Sequence, residues 1–113
     1  MKYDLGERTT NFATRIITTN QKVVFSILTK NIQEQLLRSA TSIGANYQEA
    51  NGSVSKSDFK SKIAICKKEA LETQYWIKLI ASIDVGNKDL WDILYQECHE
   101  LLLIFSRIFH SSK

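Results

Sequence analysis

The 113-residue chain has no proline and only four glycines, so the residues that most often break helices are nearly missing. Together with abundant Ile, Leu, Lys, Glu, Gln and Ala, that absence predicts an all-helical chain. The length suits one domain, residues 1–113, with a single core. Long apolar runs are missing too: the longest, Leu101 to Phe105, is far shorter than the roughly 20 residues a membrane helix needs. The opening MKYDLGE has no signal-peptide core, so a cytoplasmic location and no membrane role are expected. Cys66 and Cys98 form neither a CxxC pair nor a zinc-ligand spacing, and at apolar helical positions they read as buried thiols.

Catalytic signatures are equally scarce. There is no Gly-rich phosphate loop, no GxSxG elbow and no HExxH. Di-iron bundles use Glu-x-x-His pairs, whereas here Gln96 stands three before His99 and Arg107 three before His110. The expectation is a non-enzymatic protein with no metal, no cofactor and no small-molecule substrate.

What is present is helical periodicity in four segments, at about 5–21, 27–51, 56–82 and 88–110. In the first, Leu5, Phe12, Ile16 and Ile17 share a side, while Thr18, Thr19 and Asn20 weaken its end. Ser26 is a candidate cap for the second, and Val23 to Phe25 form an apolar connection that must pack somewhere. The second helix carries Leu28, Ile32, Leu36, Ala40, Ile43, Tyr47 and Ala50 and stops near Asn51-Gly52. Ser55 and Asp58 have capping-box spacing, and Phe59, Ile63, Cys66, Ala70, Thr73, Ile77 and Ile80 then alternate steps of four and three. Val85-Gly86-Asn87 breaks the chain again, with Asn87 and Asp89 as cap and favourable first-turn charge for the last helix. Short connections between long amphipathic helices make successive helices antiparallel neighbours, so the predicted fold is an up-down-up-down four-helix bundle.

Two faces carry more apolar surface than a monomer needs. Ile65, Trp76 and Leu79 project from the side of helix 3 away from its seam, and the apolar arc of helix 4, Trp91 included, sweeps roughly 200 degrees. These four residues are the candidate oligomer interface. Charge adds a direction. Lys56, Lys60, Lys62, Lys67 and Lys68 outweigh Asp58 early in helix 3, whereas Asp84, Asp89, Asp92, Glu97 and Glu100 outweigh Lys88 near helix 4. Unlike patches on one subunit favour head-to-tail contact and a ring, unless the two helices neutralise each other within one chain.

The residues LLRSATSIGANYQEA at 36–50, followed by Ser55, Asp58-Phe59, Lys62, Lys68-Glu69-Ala70, Glu72 and Tyr75-Trp76, resemble a small bacterial four-helix bundle family. It is the family of proteins encoded in intervening sequences of large-subunit ribosomal RNA genes. The resemblance spans about 5–110 and is weakest in helix 1, where Thr9-Thr10-Asn11 is polar and no proline precedes helix 2. The family is similar in fold to the accessory subunit of diversity-generating retroelements, which implies a homopentameric ring with nucleic acid on a basic surface.

Two sets of residues follow. Arg38, Asn46, Glu49, Glu69 and Glu72 lie beside apolar residues on facing helices, where charge is tolerated when paired. They are read as a register-fixing network, with Arg38 on Glu69 or Glu72, in preference to a catalytic carboxylate cluster. Gly44 and Ala45 permit close helix approach. Lys56, Lys60, Lys67 and Lys78 fall within about 40 degrees around helix 3 and form a candidate nucleic-acid stripe. The leading expectation is an oligomeric accessory protein that binds RNA or DNA through that stripe. The alternative is a self-assembling scaffold for a protein partner, with no nucleic-acid role.

Overall fold

The computed structural model describes residues 4–111. Met1 to Tyr3, part of the stretch read for a signal-peptide core, lie outside the described residues. Four helices follow in order: α1 (Leu5–Asn20), α2 (Ile27–Asn51), α3 (Lys56–Ile83) and α4 (Lys88–Ser111), with a 3-10 turn at Val85–Asn87 before α4. No described helix is long and apolar enough to cross a membrane.

Local chemistry sets the boundaries. Asp4 accepts from the Glu7 amide at 3.1 Å to start α1. The threonines of α1 that look like weak helix formers bond back to the preceding turn: Thr10 to Gly6 O, Thr14 to Thr10 O and Thr18 to Thr14 O. The complete capping box sits at α2, where Ser26 Oγ accepts from the Thr29 amide and Thr29 Oγ1 accepts from the Ser26 amide. At α3 only half of that motif forms among the described residues, Ser55 Oγ accepting from the Asp58 amide at 3.0 Å. Among the described residues the side-chain bonds of Asn87 run to Asp84. Its amide donates to both oxygens of Asp84, and Asp84 Oδ2 also accepts from the Trp91 indole at 2.9 Å, so Asp84 organises the α3–α4 turn.

Each helix packs on its sequence neighbours, and α1 also closes on α4. Partners run in opposite directions along each pair. On α1 and α2, Thr9 meets Gly44 and Asn20 meets Gln33; on α2 and α3, Arg38 meets Glu72 and Glu49 meets Lys62. On α3 and α4, Lys60 meets Phe109 and Gln74 meets His99. The chain is therefore an antiparallel four-helix bundle, with extents of 44 × 27 × 19 Å.

The α3 seam turns inward: Ile63, Cys66, Ala70, Thr73, Ile77 and Ile80 are all buried. They meet Leu36, Ala40 and Ile43 of α2, Phe12 and Ile16 of α1, and Leu94, Cys98, Leu101 and Phe105 of α4. Several apolar positions depart from the sequence reading. Trp91, taken as an interface residue, is fully buried because its ring fills the core while Asp84 satisfies its N–H. In the connection before α2 Val23 is buried, but Val24 and Phe25 are exposed, as are Leu28 at the start of α2 and Ile17 late in α1.

Candidate nucleic-acid interface and the polar network beside it

The four stripe lysines lie on the flank of α3 that faces α4, and the structure divides them. Lys60 Nζ stands 4.7 Å from the centre of the Phe109 ring and Lys67 Nζ 5.7 Å, so two ammonium groups lean over one aromatic face near the end of α4. The His110 ring meets Phe109 edge-on at 5.5 Å. Lys56, exposed, continues the stripe toward the start of α3. Lys78 lies three helical turns further on, beside Lys88, Asp92 and Tyr95, where the Lys88–Asp92 ion pair alters the local charge. The pair the structure brings together at the last turn of α4 is thus Lys60 and Lys67, with Lys56 four residues before Lys60 along α3. The partial negative charge of that helix end answers part of their positive charge.

The proposed five-residue network separates into three pieces. Arg38 donates from Nη1 to Glu69 Oε2 at 3.2 Å, from Nη2 to Glu72 Oε2, and from Nε to Gln35 Oε1. The Trp76 indole donates to the same Glu72 oxygen at 2.9 Å. Glu49 instead pairs with Lys62 at 2.7 Å, and Asn46 donates within its own helix to Ser42. Burial works against the Arg38 guanidinium, but bonding and charge from Glu72 and Glu69 outweigh it and raise its pKa. The bond from Trp76 holds the Glu72 carboxyl below its usual range; burial opposes this and Arg38 assists. Glu69 is 7% exposed and its Oε1 has no hydrogen-bond partner, so Arg38 is the group that makes this buried carboxylate tolerable.

Ile65, Trp76 and Leu79 are half-buried within one chain. Trp76 packs against the core cluster. Its indole bond to Glu72 ties that side chain to the Arg38 network.

Arg8 was missed by sequence reasoning. It holds Glu97 through two bonds of 2.8 Å and Glu100 through one of 2.9 Å, joining α1 to α4. The Glu97 bond, above all, raises its pKa. Nothing in the local sequence singles it out, because its partners lie on the last helix. Beside this clamp an open groove of about 560 Å3 runs along α1, lined by Arg8, Asn11, Arg15 and Glu97 among others.

The thiols are buried. Cys66 Sγ lies 3.5 Å from Ile43 O and Cys98 Sγ 3.2 Å from Ala70 O, and burial pushes both up to about 12. Among the described residues no group of three or more His, Cys, Asp or Glu could hold a metal ion.

Comparison with known proteins adds the lineage. No curated protein matches the chain. A solved structure from Bacteroides thetaiotaomicron, described as a protein of unknown function from the S23 ribosomal protein family, is 30% identical. It superposes with a TM-score of 0.78 over 92% of this chain and 96% of its own. The family model described as 23S rRNA-intervening sequence protein matches residues 1–107. With that match covering nearly the whole bundle, the chain belongs to the 23S rRNA-intervening sequence protein family.

Proposed function

We propose that this protein is a non-enzymatic, cytoplasmic, oligomeric accessory factor that binds structured RNA through the α3–α4 flank. The observation that carries the reading is the pair Lys60 and Lys67 over Phe109, with exposed Lys56 four residues before Lys60 on the same helix. Ammonium groups steadied on an aromatic ring keep their charge outward and suit phosphate oxygens, with little base preference. In a homopentameric ring the cluster would repeat five times, turning a modest charge on one chain into a belt. The family is defined by an association with ribosomal RNA genes, which supports RNA as the polyanion to test first.

The test is the affinity of the purified protein for a structured RNA across a salt series, against a variant with Lys56, Lys60 and Lys67 all changed to Glu. Losing three phosphate contacts should flatten the log-log salt slope by roughly 2 to 3 units. An assembled wild-type protein that binds no RNA at low salt would overturn the reading. The exposed apolar residues of the bundle would then favour a scaffold that engages only protein.

A further inference from the structure

The connection before α2 and the turn before α4 emerge at the same end of the bundle, and together they line one cleft of about 410 Å3 that includes Val24, Thr29, Ile83 and Val85. Around it the chain exposes large apolar side chains on a scale the rest of the surface does not match. Val24 is 83% exposed, Phe25 69% and Ile27 89%, and Leu28, Ile83 and Val85 are exposed as well. At the far end, among the described residues, Val54 between α2 and α3 is the exposed large apolar side chain.

We propose that this end of the bundle is where a second copy of the chain docks across a two-fold axis, Phe25 of each copy seated in the cleft of the other. Three observations select a second copy. A two-fold contact requires a patch that is its own complement, and a projecting phenylalanine beside a concave apolar cleft is one. The rim offers little net charge to attract a polyanion or an anionic membrane. Lys30 is paired with Glu34 and Lys88 with Asp92, Asp84 serves Trp91 and Asn87, and Lys22 and Asp89, of opposite sign, have no ion pair among the described residues. The size also fits: the end face, 27 × 19 Å in extent, is roughly 500 Å2 in projection and larger over its side chains, close to the about 800 Å2 each partner gives a standard interface.

The contact stands apart from the lysine flank, so a ring closed through other faces would be paired by it and not replaced. The experiment is sedimentation equilibrium of the full chain over a concentration series, with three variants. Phe25→Asp places a charge on the knob. Gly86→Trp fills the cleft from a position where an added Cβ meets nothing within 4 Å. Val54→Asp is the control at the opposite end. Wild type and Val54→Asp should reach about twice the mass of the two tip variants, with helical circular dichroism equal in all four. A Phe25→Asp or Gly86→Trp protein that keeps the wild-type mass would overturn the proposal. So would a wild-type protein no heavier than the tip variants. Neither result bears on the RNA test, which reads different residues.

Discussion

Thr9 and Gly44 meet where α1 lies against α2, close enough that a Cβ on residue 44 would stand 3.2 Å from Thr9 Oγ1 and 3.4 Å from Thr9 Cβ. Thr9 is buried and its hydroxyl bonds to Leu5 O at 2.6 Å, so it cannot swing away freely. In an exposed helix Gly→Ala gains about 1 kcal/mol. Gly44→Ala should forfeit that gain here, and recover it in a Thr9→Ala background. Urea denaturation of the two single variants and the double variant gives the coupling; additive effects would show that the contact is slack.

Arg38→Ala should cost about 2 kcal/mol by leaving the Glu69 carboxylate buried without a cation. Adding Glu69→Gln should return part of that loss, because the unpaired charge is gone. Reversal to Glu at residue 38 should be the most damaging, and thermal melts of the three variants would rank them. A stable Arg38→Glu protein with native assembly would remove the network from the account of register.

Stability should rise with pH across the acid range through Glu72. Its folded pKa is lowered, so the unfolded chain binds more protons between the ordinary carboxylate value and the lower folded one. The contribution is complete above the ordinary value and drains away as pH falls through the folded value. Glu72→Gln should flatten the acid limb of a plot of urea midpoint against pH, and Trp76→Phe should flatten it partly by removing the indole bond.

At pH 8 the two thiols, both pushed up to about 12, should react with a thiol reagent at least about 1000-fold more slowly than a free cysteine. Labelling should reach two thiols per chain once urea unfolds the protein. Rapid labelling of the native state would place either cysteine outside the core.

Much of the fold was legible because its signals are local. The α3 seam, the caps at Ser26 and Ser55 and the stop at Gly52 each depend on residues within a turn or two. Burial within a wide apolar arc is not local. The sequence shows Trp91 and Ile93 as equally apolar, and only the placement of the neighbouring helices decides that Trp91 is interior while Ile93 faces water. Likewise Leu28 continues the α2 stripe in sequence but lies beyond the reach of the neighbouring helices. Of the candidate site, the pairing of Arg38 with Glu69 and Glu72 follows from facing helices, while the seat of Lys60 and Lys67 on Phe109 needed the α3–α4 register.

The order of neighbours also sets the order of events in folding. Contacts between α1 and α2, α2 and α3, and α3 and α4 each close a short loop, which favours fast formation. The Arg8 clamp ties α1 to α4 across 89 and 92 residues, alongside the apolar packing of the same two helices. That bond is expected to form after the rate-limiting barrier, so losing Arg8 should hasten unfolding and leave the folding rate nearly unchanged. The clamp would thus act as a latch on the lifetime of the folded state, separate from the forces that assemble it.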